Sequence, residues 1–257
     1  MRFVRYQLKN EEPRAGWLHE GLIGTIDGSI FGEFRRNDAY IPLEDVRLLA
    51  PVLPSKILAI GRNYAAHAKE HGAEVPESPL VFLKPPSAVI NPGDTIYLPP
   101  QSEQVEHEAE LTVVIGRRGR WISAAEAGRY ILGYTVANDV TARDLQRKDG
   151  QWTRSKGFDT FAPFGPWVDT DFDPTDAAIT CHVNGVMRQM GSTRDMVFKV
   201  NQLVAYCASI MTLEPGDLIM TGTPSGVSPL APGDMVEVHI DGLGILRNPV
   251  AAEPQRA

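Results

Sequence analysis

The chain contains only two cysteines among its 257 residues, Cys181 and Cys207. They lie far apart and outside any paired motif, which excludes a disulfide framework and a cysteine-based zinc site as organising features. Long apolar runs are also missing. None reaches the roughly 18 to 20 residues that span a bilayer, and the first five residues lead into polar sequence rather than a signal-peptide core. We therefore expect a cytoplasmic protein that has no membrane partner.

Basic clusters and several catalytic signatures are absent as well. Lys and Arg total 25 against 32 Asp and Glu, a formal charge of −7. Because binding to phosphates needs clustered cations, we expect no nucleic-acid partner. Residues 221–227 could hold a carboxylate through hydroxyl and backbone N–H groups, but they lack the lysine and spacing of a phosphate-binding loop. Neither Gly-x-Ser-x-Gly nor Gly-x-Gly-x-x-Gly occurs, which disfavours a serine hydrolase and a Rossmann enzyme.

Short strand patterns dominate what is present. Residues 1–50 alternate brief apolar runs with turns and predict a small β-rich N-terminal domain. The proline-bearing residues 51–54 break this pattern, so we place a domain boundary near Ala50. Residues 51–257 then form the second predicted domain. Its clearest strand candidates are the largely apolar, β-branched segments 56–61, 111–116 and 131–137.

Helices are predicted to be few. The run Ser123-Ala124-Ala125-Glu126 has the form of a capping box, in which the serine and glutamate side chains satisfy backbone N–H groups at a helix start. A longer amphipathic helix is predicted after Thr193, because apolar residues recur at helical spacing from Met196 to Cys207. This helix would pack on the sheet and end before Pro215, with Cys207 buried in it.

Three carboxylates carry the clearest chemical signal. Glu108 and Glu110 are two apart in an extended segment, so their side chains point to one face. Asp139 follows the strand candidate 131–137. Hard oxygen donors favour Mg²⁺ or Mn²⁺, and three protein ligands leave positions open for substrate. The alternative is a solvated strand face, since Glu106 shares the stripe. If the acidic residues at both strand ends lie in one core, their negative charges need compensation, and this favours the metal site over the solvated face.

Other residues could act beside this cluster. His67 and Glu70 are three apart and share a face if their segment is helical. A carboxylate beside an imidazole fixes its tautomer and raises its basicity, as a general base requires, although spacing alone favours an exposed pair. Lys156 lies in a glycine, proline and aromatic loop of the kind that binds ligands. Lys84 and Arg143 are cations that could meet an anionic substrate, but each alone is more often a surface charge.

Six motifs occur in a characteristic order along the chain. They are Gly61-Arg62-Asn63-Tyr64 with His67 and Glu70, Phe82-Leu83-Lys84-Pro85, His107-Glu108-Ala109-Glu110-Leu111, the run from Asn138 to Asp144, Lys156-Gly157-Phe158-Asp159, and Thr221-Gly222-Thr223-Pro224. This ordered set resembles the fumarylacetoacetate hydrolase family over roughly residues 55–250. The first 50 residues resemble the small leading domain of some bacterial members. Some relatives have a second histidine where this chain has Glu106, a departure that leaves the ligand positions intact.

The resemblance implies a mixed α+β, mainly β fold: a rolled sheet or distorted β-barrel with few helices, assembled as a homodimer. It also implies Mg²⁺ or Mn²⁺ as the cofactor. The implied site residues are Glu108, Glu110 and Asp139 for the metal, His67 and Glu70 for a water-activating dyad on a mobile lid, Lys156 for stabilising oxyanion or enolate charge, and Arg143, Thr223 and Lys84 for substrate contact.

These features together predict a metal-dependent enzyme for a small 2-oxo dicarboxylic acid. The dyad favours carbon–carbon hydrolysis of an acylpyruvate, of the fumarylacetoacetate or fumarylpyruvate type, through a metal-stabilised enolate. The same enolate chemistry serves isomerisation of 2-hydroxyhepta-2,4-diene-1,7-dioate (the 5-carboxymethyl-2-hydroxymuconate reaction) and decarboxylation or tautomerisation of oxaloacetate, so these alternatives stay open. A non-catalytic protein that binds metal or carboxylates is the remaining alternative.

Overall fold

A computed structural model describes residues 1–9 and 11–254 of the chain. Strands β1 to β10 are Arg2–Gln7, Arg14–His19, Leu22–Gly28, Phe34–Pro42, Arg47–Leu49, Ile57–Gly61, Leu80–Lys84, Val89–Ile90, Ile96–Leu98 and Val105–Glu106. Strands β11 to β19 are Ala109–Ile115, Ile131–Asn138, Thr141–Ala142, Ala162–Asp169, Ala178–Val183, Val186–Ser192, Leu218–Met220, Met235–Ile240 and Gly244–Ala252. The three strands predicted from the sequence correspond to β6, β11 and β12.

Helices are short and few in the described residues. The α-helices α1 to α4 are Ala65–Glu70, Arg143–Asp149, Thr153–Lys156 and Val200–Ile210, and the 3₁₀ segments are Leu43–Asp45, Pro86–Ala88, Ala127–Arg129 and Thr193–Asp195. The mainly β fold with few helices is therefore confirmed. No helix in this part of the chain is long and apolar enough to cross a membrane. The homodimer implied by the resemblance stays a prediction.

Two helix predictions need correction. No α-helix begins at Ser123. Its hydroxyl donates to the carboxylate of Glu126 at 2.7 Å instead of accepting a backbone N–H as a helix cap would, and a turn leads into a 3₁₀ segment. The longer helix starts at Val200 rather than near Met196. The backbone N–H of Val197 donates to Asn63 O at 2.8 Å. This contact keeps the chain extended before α4, a tertiary constraint that helical spacing does not reveal.

One large sheet forms the frame of the molecule. Ten of its strands follow the order β4-β3-β2-β1-β14-β12-β11-β17-β6-β7, and β5 and β8 pair with β1 and β14. A five-stranded sheet has the order β16-β15-β18-β19-β9, and β10 pairs with β13. Because β1 pairs with β14, the N-terminal strands extend the large sheet. The division into domains at residue 50 remains a prediction.

The central strand β11 is buried on both faces. Leu111 and Val113 belong to the apolar core that includes Ile179 of β15 and Leu203 of α4. Val114 points the other way, into a second core on the opposite face of the large sheet. A strand covered on both faces needs a nearly continuous apolar sequence rather than an alternating one, which explains the run from Leu111 to Ile115.

The same strand positions the acidic residues. Strands β11 and β12 are antiparallel, with Ala109 opposite Asn138 and Glu110 opposite Ala137. Glu108 immediately precedes β11 and Asp139 immediately follows β12, so the antiparallel register places both at one end of the pair. The backbone N–H of Asp139 donates to the carbonyl of Glu108 at 2.9 Å. The register therefore makes neighbours of residues 31 positions apart in the sequence.

A buried carboxylate anchors the turn that leads into β17. Asp217 has a fully buried side chain that pairs with the ammonium of Lys56. It accepts hydrogen bonds from Ser55 Oγ at 2.6 Å and from the Glu214 backbone N–H at 2.7 Å. These contacts hold the turn against the start of β6, which runs parallel to β17.

We expect Asp217→Ala to lower the free energy of unfolding by about 2 to 3 kcal/mol, because the buried donors around it lose their acceptor. Urea denaturation followed by circular dichroism measures this loss. The exposed carboxylate of Asp38 provides a matched control, and Asp38→Ala should stay within about 0.5 kcal/mol of the unmodified protein. Equal stabilities of the two variants would contradict the anchoring role.

Candidate active site

Three buried carboxylates meet at the end of the β11–β12 pair. Glu108, Glu110 and Asp139 are 4%, 1% and 1% exposed, and each offers an oxygen within 4.8 Å of the others. The side-chain oxygen of Asn138 accepts the backbone N–H of Glu108 at 2.9 Å, which fixes the approach to β11. This burial excludes the solvated strand face that the sequence left open. The three carboxylates predicted as a group are brought together.

Three buried cations surround these carboxylates. The ammonium of Lys156 donates to Glu108 Oε2 and to Asp139 Oδ2, both at 2.7 Å. The ammonium of Lys84 donates to Asp139 Oδ1 at 2.6 Å, and Arg143 Nη2 donates to Glu108 Oε1 at 2.5 Å. Burial alone would lower the pKa of Lys156, but Asp139 and Glu108 together raise it. Lys156 therefore carries its positive charge at neutral pH.

Among the described residues, Glu110 has no hydrogen bond from a cationic side chain. Its hydrogen bond from the backbone N–H of Gly222 is 2.7 Å long. Burial and the charges of Asp139 and Glu108 raise the pKa of Glu110 well above its usual range, whereas Lys156 and Arg143 hold the pKa of Glu108 below its usual range in spite of burial. One carboxylate of the group is therefore short of positive charge.

The group fits a divalent cation. Its donors are hard oxygens, as Mg²⁺ and Mn²⁺ prefer, and a cation would supply the positive charge that Glu110 lacks. Each ionised carboxylate has about four acceptor positions, so the lysine and arginine hydrogen bonds to Glu108 and Asp139 leave lone pairs for an ion.

The predicted dyad lies on α1 beside the carboxylates. His67 Nδ1 is 3.3 Å from Glu70 Oε2, and His67 is 6% exposed. Burial lowers the pKa of His67, with the charge of Glu108 acting in the opposite direction, so its imidazole is neutral at pH 7. Glu70 also accepts the backbone N–H of Gly226 through Oε1 at 3.0 Å. This contact joins α1 to the loop after β17.

Comparison with known proteins identifies the family of the chain. The family described as fumarylacetoacetate (FAA) hydrolase C-terminal matches residues 56–251. The chain belongs to the fumarylacetoacetate hydrolase family. A second family, described as Rv2993c-like N-terminal, matches residues 1–51, so the leading segment also has relatives.

The proteins similar to this chain include some named as isomerases and some named as tautomerases. The mitochondrial oxaloacetate tautomerase Fahd2a of Rattus norvegicus is 44% identical over 222 residues, which cover 82% of this chain and 71% of that protein. The crystal structure of 5-carboxymethyl-2-hydroxymuconate delta-isomerase from Mycobacterium smegmatis has a TM-score of 0.91 at 44% identity, covering 98% of this chain and 100% of that one. The crystal structure of 2-hydroxyhepta-2,4-diene-1,7-dioate isomerase from Mycobacterium marinum has a TM-score of 0.90 at 42% identity, covering 99% of this chain and 100% of that one.

A cavity of about 330 Å³ opens above the carboxylates. Its wall includes Glu108, Glu110, His67, Lys156, Thr223, Arg62, Arg147 and Trp152. The predicted base, the predicted oxyanion-stabilising lysine and two of the predicted metal ligands therefore face one space. A cavity with several cationic side chains is suited to a small anionic ligand.

The predicted substrate contacts have other partners in this structure. Thr223 lines the cavity, but its hydroxyl donates to Ala109 O at 2.9 Å. Arg143 is shared between two carboxylates. Lys84 donates to Asp139 and to Val140 O and does not belong to the cavity wall formed by the described residues. Their roles in substrate contact therefore stay predictions.

Two residues that were not predicted from the sequence, Glu106 and Gln189, support the site. Glu106 is 4% exposed and accepts from Arg143 Nε at 2.7 Å, which aims the guanidinium at Glu108. Gln189 Oε1 accepts from the Ala109 backbone N–H at 3.0 Å, and its amide nitrogen donates to Thr223 Oγ1 at 2.7 Å. Both act through long-range contacts, so no local sequence signal identifies them.

We expect Glu110→Gln to weaken Mg²⁺ and Mn²⁺ binding by at least roughly 100-fold. Loss of a residue that only supports a metal ligand costs up to about 100-fold in affinity, and loss of a direct ligand should cost at least as much. The amide has nearly the same size but no charge, so the fold should be retained. Isothermal titration calorimetry measures the affinity. Glu106→Gln is the matched control, because it changes a buried carboxylate outside the ligand group, and its effect should be smaller. Unchanged affinity in Glu110→Gln would exclude this carboxylate as a ligand.

Proposed function

We propose that the chain is a divalent-metal-dependent enzyme that interconverts the enol and keto forms of a small 2-oxo dicarboxylic acid such as oxaloacetate. The observation that carries this proposal is the cavity in which a neutral, buried His67 and the cationic Lys156 share one wall with the carboxylate cluster. Tautomerisation needs a base and a site for enolate charge. The similarity to an oxaloacetate tautomerase and to two isomerases of dioates supports the same chemistry.

Glu108, Glu110 and Asp139 would hold Mg²⁺ or Mn²⁺. When bound, the ion would supply a Lewis acid that polarises the 2-oxo group and stabilises the charge of the enolate. The remaining positive charge comes from the chain itself. Lys156, held between Glu108 and Asp139, lies where an enolate oxygen would accept a hydrogen bond, and burial strengthens that interaction relative to water.

His67 moves the proton. Because its Nδ1 faces Glu70, Nε2 is the nitrogen that exchanges a proton with C3 of the substrate. In the keto-to-enol direction, Nε2 takes the C3 proton and the electron pair passes to the 2-oxo oxygen. The imidazolium of His67 then returns a proton through water to that oxygen, which gives the enol and restores the neutral base. Glu70 holds the imidazole in the tautomer with Nε2 free. Its second oxygen, bound to Gly226 N–H, fixes this orientation.

The distal carboxylate of the substrate would face the rim of the cavity. Arg62 and Arg147 line the same space and carry positive charge. Arg147 also donates to Gln104 Oε1 at 2.7 Å, which holds its guanidinium in place. The cavity of about 330 Å³ lies at the lower end of the range for small-molecule sites and suits a short dicarboxylate.

Carbon–carbon hydrolysis of an acylpyruvate is the second candidate, and the His67–Glu70 pair favours it. An isomerase needs no attacking water, whereas this pair has the arrangement that activates one. In hydrolysis, His67 would take a proton from water and the oxygen would attack the distal carbonyl. The bond between C3 and the distal carbonyl carbon would then break, its electron pair would form the enolate of pyruvate beside Lys156, and the acyl group would leave as a carboxylic acid. Decarboxylation of oxaloacetate would produce the same kind of enolate.

Ketonisation of the enol form of oxaloacetate, followed by its ultraviolet absorbance in the presence of Mg²⁺, tests the proposal. We expect the protein to accelerate this step and His67→Asn to slow it by about 10² to 10⁴-fold, the usual contribution of a general base. His182→Asn, which alters a half-buried histidine on β15, is the control and should retain the activity.

An acylpyruvate assay on the same samples separates the two candidates. Release of pyruvate without acceleration of ketonisation would replace tautomerisation by hydrolysis. Retention of hydrolysis in His67→Asn would remove the histidine from the hydrolytic mechanism. Binding of 2-oxo acids with Mg²⁺ but no turnover of either substrate would favour a non-catalytic binding protein.

A further inference from the structure

Helix α1 and the residue after it carry a second group of metal-ligating side chains. His67, Glu70 and His71 each offer a ligand atom within 4.8 Å of the others. The two imidazole rings pack edge to face with their centroids 4.7 Å apart. This group shares no residue with the carboxylate cluster of Glu108, Glu110 and Asp139.

The spacing of the three residues is suited to chelation. Residues three and four apart on a helix lie on one face, so Glu70 and His71 both lie beside His67. The pattern His-x-x-Glu-His also occurs in zinc peptidases of the inverzincin type, although α1 itself ends at Glu70. The backbone N–H of His71 donates to the carbonyl of His67 at 3.3 Å, which continues the helical path.

The donor set differs from that of the carboxylate cluster. Two imidazoles and one carboxylate suit Zn²⁺ and similar transition-metal ions, whereas the all-oxygen cluster suits Mg²⁺ or Mn²⁺. Burial lowers the pKa of both His67 and His71, so both rings offer a lone pair at neutral pH. The two groups therefore select different classes of cation.

Part of this geometry is already fixed. Glu70 is held by the backbone N–H of Gly226 at 3.0 Å. A glycine is required there, since φ is +100° and a Cβ would lie 2.2 Å from Arg188 O. With zinc–nitrogen distances of about 2.0 to 2.1 Å, tetrahedral ligand atoms lie about 3.4 Å apart. His67 Nδ1 and Glu70 Oε2 are already 3.3 Å apart, and the side chain of His71 is exposed.

We propose that His67, Glu70 and His71 bind Zn²⁺ or a related transition-metal ion, and that the bound ion inhibits the enzyme by occupying the imidazole of His67. The proposed inhibition rests on the proposed function, because His67 acts there as the base. The proposed binding of zinc rests on the ligand geometry alone. Such an ion would also tie α1 to the loop at Gly226 through Glu70.

Calorimetric titration of Zn²⁺ into protein saturated with Mg²⁺ tests the site. We expect His71→Asn to weaken zinc binding by at least roughly 10-fold, because one of three ligands is lost, and the control His182→Asn to leave it unchanged. Glu110→Gln should retain zinc binding, since it alters only the carboxylate cluster. Equal zinc affinity in His71→Asn and the unmodified protein would overturn the proposal, as would loss of zinc binding in Glu110→Gln.

Turnover in the same samples tests the inhibition, with each variant compared with its own zinc-free rate. We expect Zn²⁺ to lower the turnover rate of the unmodified protein. At equal Zn²⁺ concentration, the fold reduction in turnover rate should be at least roughly 10-fold smaller for His71→Asn. Equal inhibition of the two would overturn the inhibitory role. Absence of any turnover would refute the proposed function and the inhibition with it, while the titration would still decide whether the site exists.

Discussion

The structure depends on the compensation of charge among side chains that are almost wholly buried. Four carboxylates, those of Glu106, Glu108, Glu110 and Asp139, are buried with the three cations Lys84, Arg143 and Lys156. Burying an unpaired charge is costly, and the hydrogen bonds among these groups reduce that cost for every carboxylate except Glu110. The shortage of positive charge at Glu110 is what makes the cluster suited to a divalent cation.

The β-sheet supplies the rigidity that this charge arrangement requires. Strand β11 is held by neighbours on both edges and by apolar cores on both faces, so Glu108 and Glu110 start from a fixed backbone. His67, the proposed base, reaches the same space from α1, which the hydrogen bond from the Gly226 N–H to Glu70 joins to the loop after β17. A fixed set of proposed ligands facing a proposed base on a short helix is an arrangement that suits several enolate reactions.

Local sequence patterns predicted the parts of this site that depend on spacing within one element. The alternation around Glu108 and Glu110, the strand before Asp139 and the three-residue spacing of His67 and Glu70 are of this kind. The support from Gln189 and Glu106 was not predictable, because it depends on residues brought together by the fold. The late start of α4 has the same cause, since a contact with Asn63 overrides helical spacing around Val197.

On the proposed function, this chain forms an enolate of a 2-oxo acid at the carboxylate–lysine cluster. Exchange of the C3 protons of a 2-oxo dicarboxylic acid with deuterated water, followed by NMR, is its most direct test, because tautomerisation removes and returns a C3 proton. We predict exchange well above the enzyme-free rate with Mg²⁺ or Mn²⁺, which chelator abolishes. Exchange at the enzyme-free rate with both ions, in folded protein shown to bind them, would contradict the account.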